Sequence, residues 1–223
     1  IQSTSSAIDS SEIIQEKTLS IIDLMTSGGT GGNIIMSVLG ILSIFAIYIL
    51  IERISSLNKA RKGNSDFIRN INSLVNNNKY SEAISACKEE DSTISRMIEK
   101  GLRRNGKPFN EIHSAMENQG KLEVNKLEYN LTNLATISGA APMIGFLGTV
   151  IGMILAFHDM ASAGGNIDVE MLSKGIYTAM ITTVAGLVVG IISYISYNFL
   201  LSKIDKIVFS MESASSEFLD NLQ

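Results

Sequence analysis

Polar and apolar positions are spread very unevenly along this chain. Three stretches carry no Asp, Glu, Lys, Arg or His: Leu24–Ile51 (28 residues), Tyr129–Phe157 (29) and Gly175–Ser202 (28). About 20 apolar helical residues suffice to cross the hydrocarbon core of a bilayer. The pattern therefore predicts three transmembrane helices, near 33–51, 136–157 and 176–199. Between the first two, apolar residues recur at helical spacing. Short helices are expected at 65–77, 80–90 and 92–104, ended by "RNGKP" with its Gly106 and Pro108. From Asn110 onward, Ile112, Met116, Leu127, Leu131 and Leu134 resume the three- and four-residue spacing. Nothing punctuates 122–138, so the second crossing is expected to be the outer half of one long helix. The third continues past Lys203, where Ile204, Ile207, Val208, Met211 and Phe218 form a stripe that needs a covering partner. The fold class is all-α: an integral membrane protein with three spans, two of them long and extending into a cytoplasmic helical domain.

Charge orients the spans. Segment 52–128 holds 14 Lys/Arg against 11 Asp/Glu, whereas residues 1–51 hold Lys17 against Asp9, Glu12, Glu16 and Asp23. Residues 158–173 hold Asp159, Asp168 and Glu170 and no Lys or Arg. Arg53, Lys59, Arg61 and Lys62 follow the first span, and Lys203 and Lys206 follow the third. Positive residues mark the cytoplasmic side, so the N-terminus is expected outside and the C-terminus inside. The expected layout is an outer amphipathic helix and glycine linker (1–32), first span (33–51), cytoplasmic helical domain (52–135), second span (136–157), outer loop (158–175), third span (176–199) and cytoplasmic C-terminal helix (200–223). In the first of these, Ile14, Ile21, Ile22 and Met25 share a helical stripe suited to the membrane surface. "GGTGG" (28–32) then reads as a flexible joint. The chain begins at Ile1 rather than Met, which a removed signal peptide or a trimmed end would explain.

The second and third spans carry small residues in rows. Gly145, Thr149, Gly152 and Ala156 fall on one helical face, and Ala179, Thr183, Gly186, Gly190 and Ser193 repeat the arrangement. In lipid, helices associate by close backbone approach and hydrogen bonds. Two such faces pack against each other or surround something narrow. Thr178, Thr182, Thr183 and Thr149 supply hydroxyls, and Pro142 frees a carbonyl and allows a kink near the inner end of the second span. No Asp, Glu, Lys, Arg or His lies within the three spans. A proton relay in a membrane needs a titratable group, so the chain alone is expected to form a wall and not a complete carrier.

"APMIGFLGTVIGMILAF" (141–157) together with "AMITTVAGLVVGIISYISYN" (179–198) resembles the ExbB/TolQ/MotA proton-channel family, most of all its ExbB branch. The likeness extends over roughly 33–205 and includes "LEVNKLEYNLTNLATISGAAP" before the second span. It implies a homopentamer whose second and third spans line a pore, with the first span outside. It also implies an ExbD- or TolR-like single-span dimer standing in that pore and bringing the titratable Asp. The proton-motive force would then energise a TonB-like protein for outer-membrane transport, from a bacterial inner membrane. Thr149 and Thr183 correspond to the pore-facing threonines, with Thr182, Thr178, Gly145, Gly152, Ala179 and Gly186 beside them. Two departures stand out. The Glu that the ExbB branch often carries near the start of the third span is Thr178 here, and a Pro expected after "GL" is Ile192. The partner's acid is then the sole carrier, or sodium replaces protons, since hydroxyl and carbonyl oxygens suit a hard cation. Alternatives are a TolQ-like or stator subunit of another motor, and a non-conducting membrane scaffold.

Other chemistry is sparse. No phosphate loop follows a strand, no His/Cys cluster has metal spacing and no nucleophile–base pair is recognisable, so neither an enzyme nor a cofactor is expected. The net charge of −4 has no basic block for nucleic acid. Membrane lipids are expected partners, through the basic residues after the first span. His158 beside Asp159 reads as a polar cap at the outer interface, and the one cysteine, Cys87, as a small buried helix residue.

Overall fold

The computed structural model describes residues 29–60, 65–162 and 169–221. The expected outer helix over 11–25 lies outside them. The described residues form seven helices and no strand: α1 (Gly29–Ala60), α2 (Ser65–Asn76), α3 (Tyr80–Glu90), α4 (Thr93–Leu102), α5 (Phe109–Glu128), α6 (Leu131–Ser162) and α7 (Val169–Asp220). α1, α6 and α7 hold most of the three charge-free stretches and are long and apolar enough to cross a membrane. Ile34, Ile41, Ile44 and Ile51 on α1 and Met143, Phe146 and Ile154 on α6 remain exposed. Such an apolar band suits lipid, where a helix satisfies its own backbone.

The short helices lie close to their expected limits, and each stop has a local cause. α2 ends where Asn78 takes a left-handed conformation (φ 58), and α3 ends at Asp91 (φ 42), whose N–H donates to the Cys87 carbonyl. Asn and Asp tolerate that region better than other residues with a side chain. Ser92 then opens α4 with a reciprocal cap: Ser95 N–H donates to Ser92 Oγ (3.1 Å), and Ser92 N–H donates to Ser95 Oγ (2.8 Å). Gly106 (φ 83) turns the chain between α4 and α5.

The inner half of α7 does not wait for an outside partner. Ile204, Ile207, Met211, Ala214 and Phe218 are buried in one core with Ile71, Ile98, Leu102 and Met116 from α2, α4 and α5. Cys87 is part of the same core at 1% exposure. Burial, with Glu99 nearby, pushes its thiol up to about 12. The thiolate is the reactive form, so the folded protein is expected to resist maleimide at pH 8 and to react fully once unfolded in detergent. Labelling of the native protein would contradict this packing. Behind the core, Glu123 of α5 is 2% exposed yet ionically satisfied. Arg96 Nη2 (2.8 Å), Lys126 Nζ (2.9 Å) and Gln119 Nε2 (2.9 Å) all donate to its carboxylate.

Two expectations are corrected. The glycine joint over 28–32 is, from Gly29 on, the first turn of α1. A Cβ on Gly31 would already meet Ile151 and Leu155 at 3.4 Å, and one on Gly32 would meet Thr178 at 3.3 Å. These glycines bring α1 close to α6 and α7. The second crossing is also not one helix with the segment before it. α5 and α6 are separated at Tyr129 (ψ 135) and Asn130 (φ 65). Arg53, expected among the exposed topology-setting cations, is 6% exposed there. It donates to the Lys126 (3.1 Å) and Leu127 (3.4 Å) carbonyls and holds Glu52 through Nε (2.7 Å) and Nη2 (2.6 Å).

Candidate functional site

The small residues of α6 and α7 oppose each other within one chain. A Cβ on Gly186 would lie 2.6 Å from the Ala141 carbonyl oxygen and 2.8 Å from Gly145 Cα. On Gly145 it would lie 2.8 Å from the Thr182 carbonyl oxygen, and on Gly152 2.9 Å from the Ala179 Cβ. A Cβ on Gly148 would run into the Thr182 hydroxyl. Contacts with backbone atoms at such distances leave no room for a side chain. This is backbone-to-backbone packing of small-residue faces, the means by which helices pair in lipid.

The seam differs from the expected row by one residue. On α6 it is built on Ala141, Gly145, Gly148 and Ala156, all buried, so Gly148 stands where the sequence row placed Thr149. The spacing of Ala141, Gly145 and Gly148, four residues and then three, is itself a small-residue signal that a row drawn through Thr149 passes over. Pro142 does not break α6, which runs on to Ser162. Its ring lies against Gly190, where a Cβ would be 2.6 Å from Pro142 Cγ and 3.1 Å from the Ser138 carbonyl oxygen. Proline leaves that Ser138 carbonyl without an in-helix N–H, and the structure turns it towards α7.

The candidate threonines separate into three environments. Thr182 is buried in the seam, where its hydroxyl donates to the carbonyls of Ala179 (2.7 Å) and Gly145 (3.4 Å). Thr178 lies on the α1 side, opposite Gly32. Thr183 is five residues on, about 140° round the helix from Thr178, and its hydroxyl donates to the Gly145 carbonyl (3.1 Å). On α6, α1 approaches through Ile151 and Leu155, and Thr149 lies across the seam from these. Its hydroxyl donates to the Phe146 carbonyl in its own helix (2.6 Å). Both Thr149 and Thr183 are half-buried at the edge of the seam that faces away from α1. Gly145, Gly186, Ala179 and Thr182 are buried within a single chain. Within the chain their surface is covered by the neighbouring helix. Gly152 is partly covered in the same way.

The two histidines lie away from the seam. His158 Nδ1 lies 3.5 Å from Asp159 Oδ1 at the exposed end of α6. His113 stacks on Phe109 beside a cleft of about 860 Å³ between α5 and α7, which lies in the inner section and not among the spans.

An uncharged, tightly paired helix hairpin with a third apolar helix against it is the build of a protein that crosses a membrane. Residues 89–213, more than half of the chain, match the MotA/TolQ/ExbB proton channel family, and the chain belongs to that family. It is 29% identical over 186 residues to a putative biopolymer transport protein ExbB homolog of Methanothermobacter thermautotrophicus, covering 83% of this chain and 64% of that relative. The chain thus spans somewhat less than two thirds of that relative's length. It is 28% identical over 176 residues to the biopolymer transport protein ExbB of Neisseria meningitidis (72% of this chain, 77% of the relative). Over 79 residues it is 43% identical to ExbB of Helicobacter pylori (35% of this chain, 54% of the relative).

Proposed function

We propose that this chain is the wall-forming subunit of an ion-driven motor in a bacterial inner membrane, with N-terminus outside and C-terminus inside. Five copies surround a single-span dimer of the ExbD or TolR kind. That dimer carries the acid that the spans of this chain lack, and the motor passes work to a TonB-like protein. One observation carries this reading: Thr149 and Thr183 share the edge of the α6–α7 seam turned away from α1, in walls with no Asp, Glu, Lys, Arg or His. In such walls an ionised carboxylate is costly. The guest's acid therefore crosses the narrowest part protonated, and the two hydroxyls offer it hydrogen bonds. Lys59, Arg61, Lys62, Lys203 and Lys206 fix the inner side by the positive-inside bias and contact anionic lipid headgroups.

The test is flux in liposomes holding the chain and its single-span partner. Thr183→Val is expected to lower pH-gradient dissipation at least about tenfold, since a proton path of this kind depends on its few polar groups. Assembly should survive, because membrane hydrogen bonds of this type contribute only about 0.6 kcal/mol. Thr182→Val, within the seam, should leave conduction through assembled particles unchanged. Full flux in Thr183→Val would remove the hydroxyl role. The second reading, a non-conducting scaffold, draws on the same seam, which uses most small residues for packing. Absence of flux with partner, under proton or sodium gradients, would favour it.

A further inference from the structure

We infer that Arg53 of α1 is the positioning residue of the second crossing: it takes over two carbonyls that an unbroken α5–α6 helix would use internally, and so sets how α6 leaves the cytoplasmic domain. In an α-helix each N–H donates four residues back. The carbonyls of Lys126 and Leu127 would accordingly receive the N–H groups of Asn130 and Leu131. Here the extended Tyr129 (ψ 135) and the left-handed Asn130 (φ 65) carry the chain out of that geometry. The Arg53 guanidinium supplies the missing donor, with Nη1 at 3.1 Å from Lys126 O and 3.4 Å from Leu127 O.

Three further facts point the same way. Residues 121–138 contain neither Gly nor Pro, the strongest breakers of a helix. Glu52 grips the other edge of the guanidinium through Nε and Nη2, which fixes the direction of Nη1. The guanidinium carbon also lies 5.7 Å from the centre of the Tyr129 ring, within the range of cation–π attraction. At 6% exposure Arg53 is turned into the protein and away from lipid headgroups. A planar fork of several donors suits this three-way task, which a single ammonium does not perform. Asn130 is suited to its part as well: its carbonyl still accepts from Leu134 N–H (3.3 Å), and its side chain accepts from Asn133 Nδ2 (3.2 Å). Displacement of the inner end of α1 is thereby transmitted to the base of α6.

The inference leans on the pore reading only for its functional consequence. Its test needs neither partner nor flux, so failure of the two would be seen separately. Hydrogen exchange is followed across 126–134 in the full chain in nanodiscs. In Arg53→Ala the amides of Asn130 and Leu131 are expected to exchange roughly tenfold more slowly, because the left-handed conformation is disfavoured for a residue with a side chain and the helix closes once its competitor is gone. A merely structural arginine would give the opposite sign, with faster exchange along α5 and α6. Adding Asn130→Gly to Arg53→Ala should restore fast exchange, and Arg53→Lys should fall between. Where Arg53→Ala does not fold, Arg53→Gln gives the same reading: slowed exchange at Asn130 and Leu131 supports the role of Arg53. Unchanged or faster exchange at Asn130 and Leu131 overturns it.

Discussion

Gly186→Val is expected to drive α6 and α7 apart and, under the proposed function, to abolish assembly and ion flux with it. The first atom of any side chain at this position would sit 2.6 Å from a carbonyl oxygen of the facing helix and 2.8 Å from the Cα of Gly145. Those are backbone atoms and cannot swing aside as the end of a side chain would. The helices must separate along their length, giving up the contacts on which pairing in lipid depends. Overpacking alone costs about 1–3 kcal/mol, and the clash with backbone puts Gly186→Val at the upper end or beyond. Gly40→Ala is the control. Nothing lies within 4 Å of its added Cβ, and replacing Gly inside a helix gains about 0.5–1 kcal/mol. Thermal unfolding followed by size-exclusion chromatography should show early loss of Gly186→Val and unchanged or higher stability for Gly40→Ala. A Gly186→Val protein that pairs, assembles and unfolds like the wild type would contradict the seam.

Glu123→Ala is the second large effect, expected to cost about 2 kcal/mol and to loosen α4 from α5. The carboxylate is almost wholly buried and receives bonds from Arg96, Lys126 and Gln119. Asp91 still holds Arg96 through Nη1 (2.7 Å) after the change, but the inward edge of the guanidinium loses its acceptor. Lys126 is largely exposed and turns to solvent, so the cost lies in the lost charge-assisted hydrogen bonds to Arg96 and Gln119 and in the gap left by the side chain. Glu123→Gln, which keeps the shape and one acceptor, should fall between. Proteolysis at the exposed turn after α4, around Arg103 and Arg104, provides the readout. Cleavage should accelerate strongly in Glu123→Ala, and an unchanged rate would show that the pair is dispensable.

The crossings were legible because charge is absent over whole stretches, and no tertiary detail alters that. The short inner helices were legible for a related reason: Ser92 and the Gly106–Pro108 turn are local signals with local effects. The seam was legible as a small-residue face but not in its register. Rows through Thr149 and through Gly148 both have small-residue spacing and differ by a rotation of about 100°. Only the facing Thr182 decides between them. The joint at Tyr129–Asn130 was not legible. Asn130 alone is a weak signal among several Asn residues nearby, and the group that competes for the carbonyls comes from Arg53, far away in sequence. That arginine looked like its neighbours Lys59 and Arg61, and only folding buries it.

α7 runs from Val169 to Asp220 without interruption. Its 52 residues make a rod of about 78 Å at 1.5 Å per residue, more than twice the thickness of the bilayer core. Such a rod acts as a lever arm. A tilt of about 5° at its outer end sweeps the inner tip through roughly 7 Å. Phe218, near that tip, faces Gly101 of α4 at close range, so angular changes too small to disturb the membrane section arrive at the inner domain as displacements larger than a side chain.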